Sequence, residues 1–510
     1  MIFDFTARGL ARRPRTRAEP PPARPSVLLG TTDSHESVFW DPPSGEEAAH
    51  CLALGATGTG KTTLIAHAII EEYLLLRQQQ PDAPPSLAII EPKGDLARAI
   101  LEGIAFRDPA LLGEVRYLDP FSLAAFPLNL CQLQQSVPLD ILAFALAGLV
   151  AEVSTGAGAQ KHLGIGARQV DTLQQVILGA LSSSDDPRAN ILWALDALVV
   201  RQGLKRLASV STSARARQFL ENTHLSEELV ASCASRIRLG LAATENLERL
   251  VAAPTCVDID EILGPGRITI VDVSRPSGGL GALRSLYANL IARLIFDRLL
   301  ARESPWRGHR TRLVIDEAHL LAPVLADRAE EALTTGRSKR LALLLATQGT
   351  ALIASASPTL LPVILANVAR KFVGRLAASD AELLAREQAP RPGVEERHSV
   401  VRERFAGTAA NLDDREFLLV GPNERQRFRT VDIDLAGWSA AVIREAVAIT
   451  AARERLALPA NLPRRVTLDE AVPLEPRRST GGKRRSPAAP STNASNAPAQ
   501  PLQSGRTRWG

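Results

Sequence analysis

The fold of this chain is decided by residues 50–63, which read HCLALGATGTGKTT. A short apolar run leads into a glycine-rich loop and then into a helical pattern, which is the order that a phosphate-binding loop requires. Glycine lets such a loop turn tightly and aim successive backbone N–H groups at a phosphate, and the next helix adds the positive end of its dipole. The stretch therefore predicts a binding site for a nucleoside triphosphate.

Each residue of this loop is predicted to contact the nucleotide. The set comprises Gly55, Ala56, Thr57, Gly58, Thr59, Gly60, Lys61, Thr62 and Thr63. Lys61 is expected to contact the β- and γ-phosphates, and the hydroxyl of Thr62 to ligate Mg²⁺, so ATP and Mg²⁺ are the expected cofactors. The alternative is a turn that matches by chance, but the flanking strand and helix patterns fall where the mechanism needs them.

The composition is that of an ordinary globular protein. The chain has 510 residues, of which 45% are hydrophobic, which is enough for two or three domains. No apolar run approaches the ~20 residues of a membrane span, and the charged, proline-rich start lacks the apolar core of a signal peptide. We therefore expect no membrane span and a cytoplasmic location. Four scattered cysteines indicate neither a zinc cluster nor a disulfide framework.

The positive charge is concentrated at the two ends of the chain. The net charge is +5, with +4 in residues 1–25 and +6 in residues 471–510, which leaves −5 for the middle. Both ends lack hydrophobic periodicity and are predicted to be a disordered basic N-terminal arm and a disordered basic tail. The high pI is therefore weak evidence for a nucleic-acid surface on the fold itself.

Between the ends, the hydrophobic pattern predicts an α/β protein with a parallel central sheet and an inserted all-α subdomain. Alternating strand and helix patterns in residues 26–135 predict the first part of an ATPase core. Residues 136–255 show almost only helical periodicity, which predicts the all-α insertion. The sheet pattern resumes in residues 256–470, the second part of the core, which ends with a helix over about 439–456.

A pair of acidic residues follows a later buried strand. Residues 313–317 read LVIDE, the form of a second nucleotide motif, whose carboxylates emerge at the carboxyl edge of a strand beside the phosphate loop. Asp316 is expected to hold the Mg²⁺ shell, and Glu317 to act as general base on the attacking water. The alternative is a strand that ends in two acids where a helix starts.

A third polar element follows the next strand. Residues 343–348 read LLLATQ, so Gln348 ends a strand that is expected to adjoin the site. Its amide can hydrogen-bond both the γ-phosphate and the attacking water. A glutamine at a strand end is common, and its value here comes from its position in the series of motifs.

Taken together, these motifs resemble the HerA/FtsK superfamily of ring-forming motor ATPases, and most of all the TraD/TraG class of type IV secretion coupling proteins. The resemblance covers about residues 45–435. It rests on the phosphate loop, the strand end Glu91-Pro92-Lys93-Gly94-Asp95, the all-α insertion, Asp316-Glu317, Gly336-Arg337 and Ala346-Thr347-Gln348. It implies a RecA-like P-loop core, a hexameric ring, and Arg337 as the arginine that acts in the site of a neighbouring subunit.

The chain also departs from that class. Glu91 stands where the family usually has Asp, and the N-terminal transmembrane pair is missing. Residues 316–319 spell DEAH, the box of one class of superfamily-two helicases, but the two nucleotide motifs lie much farther apart here than in those enzymes. We therefore interpret that spelling as coincidence, with His319 in the first turn of a helix.

The resulting hypothesis is an ATP-hydrolysing ring that translocates DNA, with secretion or relaxase proteins as further partners. The alternative is an ATP-dependent switch or recruitment factor for a secretion or defence complex with a protein substrate. Arginines facing a ring channel favour the motor, and the candidates are Arg275, Arg307, Arg310 and Arg312.

Overall fold

The structure is a computed structural model. It describes residues 26–40, 50–121, 126–133, 138–153, 166–274, 281–321, 328, 331–389, 397–421, 425–431 and 464–473. Described residues up to Val472 belong to one compact unit, and the boundary of a second unit falls at Pro473. The predicted N-terminal arm, nearly all of the predicted tail and the helix predicted near 439–456 lie outside the described residues.

The described strands form one mixed sheet of eleven. They are β1 (Val27–Thr31), β2 (Ser37–Trp40), β3 (Cys51–Leu54), β4 (Ser86–Glu91), β5 (Val115–Leu118), β6 (Ile268–Asp272), β7 (Thr311–Ile315), β8 (Leu341–Thr347), β9 (Arg370–Val373), β10 (Glu416–Val420) and β11 (Arg425–Thr430). Their order across the sheet is β2-β1-β11-β10-β9-β3-β8-β7-β4-β6-β5. The phosphate-loop strand β3 therefore lies in the interior of the sheet.

Seven neighbouring strands, from β9 to β5, are all parallel. Their residues read as continuous apolar runs because both faces of a parallel sheet are covered by helices, and every residue of β8 is buried. The α/β class with a parallel central sheet is thus confirmed. The remaining strands β10, β11, β1 and β2 extend it with antiparallel pairs.

A helical stretch covers residues 331–335, and sixteen other helices are given bounds here, with the short 3₁₀ turns left aside. They are α1 (Lys61–Gln79), α2 (Asp95–Arg107), α3 (Leu139–Val153), α4 (Ala167–Leu181), α5 (Trp193–Val199), α6 (Gly203–Val210), α7 (Ala214–Asn222), α8 (Glu227–Leu241), α9 (Glu245–Val251), α10 (Ile259–Ile262), α11 (Gly281–Leu300), α12 (Thr350–Ala356), α13 (Leu360–Asn367), α14 (Ala378–Gln388), α15 (His398–Ala410) and α16 (Leu468–Ala471). None of them combines the length and the hydropathy that a bilayer crossing requires.

Two hydrophobic cores cover the two faces of the sheet. Side chains alternate along β3, so that Leu52 and Leu54 join one core while Cys51 and Ala53 join the other. Helices α1 and α2 pack in the second core. Helices α3 to α9, which lie between β5 and β6 in the chain, pack in the first. The helical run expected from the sequence is present, and the exact subdomain boundaries stay a prediction.

The structure contradicts two of the proposed DNA contacts. Arg312 lies inside strand β7, which is buried on both faces, so its guanidinium cannot reach a channel. Its charge is compensated within the fold, because its Nε donates to Oε2 of Glu72 on α1 at 2.9 Å. Arg310 is also buried, 3.8 Å from the same carboxylate. Arg307 is exposed, and Arg275 lies outside the described residues.

Candidate nucleotide-binding site

The carboxyl ends of the parallel strands meet at one edge of the sheet. The register pairs Leu54 of β3 with Thr347 of β8, and Ile315 of β7 with both Leu345 and Ile90. Ligands of open parallel sheets bind outside this edge. The phosphate loop, Gln348, Asp316 and Glu317 follow these strands, and Glu91 ends β4, so these residues line one site.

Strand β8 separates the phosphate-loop strand from the strand of the acidic pair. Asp316 and Glu317 nevertheless lie near the loop, because both carboxylates act electrostatically on Lys61. The expectation that the strand before Gln348 adjoins the site is correct, since β8 pairs with both β3 and β7. This arrangement places the Gln348 amide between the phosphate loop and the carboxylates.

The phosphate loop runs from the end of β3 to the start of α1. Gly58 and Gly60 have φ values of 85° and 84°, in the left-handed region where a side chain is strained. No side chain caps α1 at Gly60. The first N–H groups of an α-helix have no acceptor within the helix, so they remain available to a phosphate.

Backbone contacts hold the loop in place from the β9 and β10 side. The N–H of Ala56 donates to the carbonyl of Arg375 at 2.9 Å, and the N–H of Arg415 donates to the carbonyl of Thr59 at 2.9 Å. The Thr59 hydroxyl closes the loop internally on the Ala56 carbonyl, also at 2.9 Å. The loop is therefore shaped by the fold and preorganised for its ligand.

Lys61, the first residue of α1, is only 8% exposed. Burial lowers the pKa of its ammonium, and the nearby carboxylates of Asp316 and Glu317 oppose that effect. The next residue, Thr62, is half-buried. The loop thus brings the Lys61 cation close to the acidic pair.

Asp316 is buried, with 5% of its surface exposed. Burial raises the pKa of its carboxyl, and the charge of Lys61 opposes the rise. Within the described part of the chain, its Oδ1 is buried without a hydrogen-bond partner. Such an oxygen fits Mg²⁺, which prefers oxygen ligands and usually takes one or two carboxylates together with phosphate and water. Asp316 and the Thr62 hydroxyl are the residues suited to hold it.

Glu317 is held in a strained backbone conformation and is almost fully enclosed. Its φ is 49°, an uncommon value for a residue with a side chain, and strain of this kind often marks functional sites. Its Oε1 accepts a hydrogen bond from Nε2 of Gln348 at 3.0 Å and pairs with Nζ of Lys93. Burial would raise the pKa of this carboxyl, but these two hydrogen bonds hold it below its usual range.

Lys93 is a member of this site whose role the sequence did not indicate. It is positioned by Glu91, whose Oε1 accepts the backbone N–H groups of Lys93 at 2.6 Å and Gly94 at 2.8 Å. Oε2 of Glu91 accepts the N–H of Leu96 at 3.2 Å, so the carboxylate also caps the start of α2. Gly94 makes the turn with a φ of 92°. The EPKGD spelling marked this strand end, but not the partner of the lysine.

Arg337 lies at the opposite edge of the sheet. It sits in the short 3₁₀ turn Gly336–Lys339 before β8, whereas Gln348 follows β8. A strand of this length spans about 20 Å. Arg337 is exposed, and its Nη2 donates to the carbonyl of Asn367 at 3.3 Å. The structure therefore does not bring Arg337 to the phosphate loop of its own chain.

His319 lies in the 3₁₀ helix Ala318–Leu321. Its Nδ1 is 3.4 Å from Oε2 of Glu317, which is longer than the contacts of Lys93 and Gln348 with the other oxygen. Burial lowers the pKa of this imidazole. The histidine therefore packs beside the acidic pair as a neutral side chain at neutral pH.

Among the solved structures that share the fold of this chain are two secretion-related proteins. The bacterial conjugative coupling protein TrwBdeltaN70 has 16% identity and a TM-score of 0.50, over 80% of this chain and 89% of its own. VirB4 of Thermoanaerobacter pseudethanolicus has 16% identity and a TM-score of 0.53, over 80% of this chain and 96% of its own. No protein-family model and no curated protein matches the chain. The resemblance to coupling-protein ATPases is thus confirmed at the level of the fold.

Proposed function

We propose that this chain is an ATPase whose hydrolytic site is the carboxyl edge of the parallel sheet. The observation that carries the proposal is the contact of the buried Glu317 with Gln348, at 3.0 Å, on strands next to the phosphate loop. A carboxylate and an amide placed together can accept a proton from water and orient it. Chance matches to three separate motifs do not explain why all three converge on one edge.

The residues have distinct roles in this mechanism. The loop N–H groups and Lys61 hold the β- and γ-phosphates, and Thr62 and Asp316 hold Mg²⁺. The bound ion supplies charge neutralisation at the phosphate oxygens. Glu317 accepts the proton of the attacking water. The amide of Gln348 hydrogen-bonds both that water and the γ-phosphate, and thereby orients the water for attack. Lys61 stabilises the charge that develops as the phosphoryl group transfers.

We further propose that ATP hydrolysis drives DNA through a hexameric ring of this chain. Similarity of fold to a conjugative coupling protein and to VirB4 supports this assignment. The exposed position of Arg337, remote from its own loop, is compatible with a role in the site of a neighbouring subunit. DNA is then the substrate, and relaxase or other secretion proteins are the expected partners.

The proposal is tested by ATPase and DNA-translocation assays on the full chain and on a chain ending at Pro473. The shortened chain lacks a net charge of +6. The log-log salt dependence of its DNA binding should therefore become shallower, by about 0.9 for every DNA phosphate that the tail neutralises in the full chain. DNA should still stimulate the ATPase activity of the shortened chain.

Three outcomes count against parts of this function. If the full wild-type chain hydrolyses ATP no faster than Lys61→Ala does, the proposed hydrolytic site is refuted. Loss of DNA stimulation in the shortened chain would move the DNA contact from the ring to the tail. Hydrolysis that DNA neither stimulates nor couples to displacement of a bound strand would favour the switch with a protein substrate.

A further inference from the structure

Lys61, Lys93, Asp316 and Glu317 lie near one another at the proposed γ-phosphate pocket. Lys61 and Asp316 have roles in binding ATP and Mg²⁺, and Glu317 has the role of base. Lys93 has none, although its Nζ forms an ion pair with Oε1 of Glu317. The two residues are 224 positions apart in sequence, so only the parallel pairing of β4 with β7 brings them together.

The two partners of this ion pair differ in freedom. The Glu317 side chain is 1% exposed, whereas that of Lys93 is 40% exposed. The Lys93 backbone is fixed by Glu91, which leaves the four-carbon stem to rotate. If the ion pair opens, Lys93 is therefore the partner that moves.

Lys93 is also within electrostatic reach of the phosphate loop. The pKa of Lys61 is lowered mainly by burial, and the charge of Lys93 contributes to the same direction. A γ-phosphate next to Lys61 carries more negative charge than one carboxylate and offers three acceptor oxygens. It is thus a stronger partner for an ammonium group than Glu317 is.

We propose that Lys93 exchanges partners when ATP binds, leaving Glu317 for the γ-phosphate. Before ATP binds, the ammonium pairs with the oxygen of Glu317 that also accepts from Gln348, which restrains the base. In the loaded site Lys93 holds the γ-phosphate, and Glu317 is released to accept a proton from water. Lys93 is thereby a positioning residue that couples γ-phosphate binding to release of the base. This inference rests on the proposed ATPase site.

A double-mutant cycle on nucleotide affinity tests the exchange. The variants are Lys93→Met, Glu317→Gln and the pair, and the probes are a non-hydrolysable β,γ-imido ATP analogue and ADP, measured by equilibrium titration. If analogue binding breaks the ion pair, Glu317→Gln removes that cost only in a chain that still has Lys93. The substitution should therefore tighten analogue binding about fivefold more in the wild-type background than in the Lys93→Met background. ADP lacks the γ-phosphate, so its affinities should combine additively.

The controls separate this inference from the proposed function. Lys205→Met removes an exposed lysine of α6 and should leave every affinity unchanged. Lys93→Arg keeps the charge and should keep most of the coupling. Unchanged ADP affinity in Lys93→Met shows that the site is folded. Additive analogue affinities overturn the partner exchange while ATP binding stands. If the wild-type chain binds the analogue no more tightly than Lys61→Ala does, the ATP site itself is overturned.

Discussion

At the scale of single residues, Lys61 and Glu317 contribute to different steps of the proposed reaction. Lys61→Ala removes the cation that faces the β- and γ-phosphates and should abolish hydrolysis and strongly weaken ATP binding. Glu317→Gln keeps the shape but cannot accept a proton, so binding should persist while turnover falls by about 10²-fold or more. Nucleotide titration and steady-state ATPase rates distinguish the two. A Glu317→Gln protein that hydrolyses ATP at the wild-type rate would show that another group is the base.

Glu72 tests the charge balance inside the fold. It is 2% exposed and faces both Arg312 and Arg310, and Arg312 also lies 5.5 Å from the ring of Trp40. Glu72→Gln leaves two buried guanidinium groups without their carboxylate, which should destabilise the protein by about 3 kcal/mol in chemical denaturation.

The neighbouring residue provides the control for Glu72. Glu71 pairs with Arg107 at 2.7 Å, and both side chains are partly exposed. Because solvent screens such a pair, Glu71→Gln should cost about 1 kcal/mol or less. Equal losses in the two variants would show that the buried pair gives no more stability than the surface pair.

The role of a residue could be predicted where it belongs to a short local motif. It could not be predicted where the residue acts through a partner far away in the sequence. The phosphate loop and the Asp316-Glu317 pair were recognised because each is a short stretch whose spacing carries the chemistry. The buried state of Arg312 was not recognised, since a single arginine in a strand gives no sign of Glu72, which lies on α1. The contact of Lys93 with Glu317 was missed for the same reason.

At the scale of elements, the parallel strands were easier to recognise than the antiparallel ones. Strands such as β8 are apolar at every position because both faces are covered. Strand β11 reads RQRFRT, and most of its side chains are exposed. Its hydrophobic pattern is therefore nearly absent, and only its pairing with β10 and β1 makes it a strand.

A short C-terminal segment, residues 464–472, docks on the helical region at α5. The Nε1 of Trp193 donates to the carbonyl of Val466 at 3.1 Å, and Oδ2 of Asp196 accepts the N–H of Leu468 at 2.9 Å. Oδ1 of Asp196 pairs with Arg465. Leu468, the first residue of α16, is fully buried. The sequence analysis assigned this segment to the second part of the ATPase core. In the structure, however, it contacts helices of the predicted all-α region.

Asp196→Asn should release this segment. The substitution removes the charge that pairs with Arg465 and weakens the cap on α16, a loss of about 2 kcal/mol, since hydrogen bonds to charged groups are worth about 1.5–3 kcal/mol. Local opening should become about thirtyfold more frequent. Trypsin cleavage after Arg465, followed by mass spectrometry, should accelerate to a similar extent.

Asp171→Asn, on an exposed position of α4, is the matched control and should leave the cleavage rate after Arg465 unchanged. The ATPase rate should change little in either variant, because the contacts that hold the segment are made with α5 and not with the phosphate loop. An unchanged cleavage rate in Asp196→Asn would mean that the apolar contact of Leu468 alone holds the segment.

At the scale of the whole molecule, the two edges of the sheet have different roles. The carboxyl edge carries the phosphate loop, Gln348 and the acidic pair. The amino edge carries Arg337, and a side chain at the neighbouring Gly336 would meet His50, the residue that precedes β3. If the proposed site requires Arg337, one chain cannot complete it, and the proposed ring would supply the arginine from a neighbouring subunit.

Mixing two inactive proteins tests this arrangement. If Arg337 stabilises the transferring phosphoryl group of a neighbouring subunit, Arg337→Ala should lose about 10³-fold in ATPase rate. Arg201→Ala, which removes an exposed arginine between α5 and α6, should keep the rate. Lys61→Ala should be inactive as well.

In mixed rings some interfaces join an intact loop from the Arg337→Ala chain to an intact arginine from the Lys61→Ala chain, so activity should return in proportion to those interfaces. Subunit exchange is verified by energy transfer between labelled chains. Exchange without recovered activity, or a fully active Arg337→Ala protein, would make Arg337 an ordinary surface residue and confine the site to one subunit.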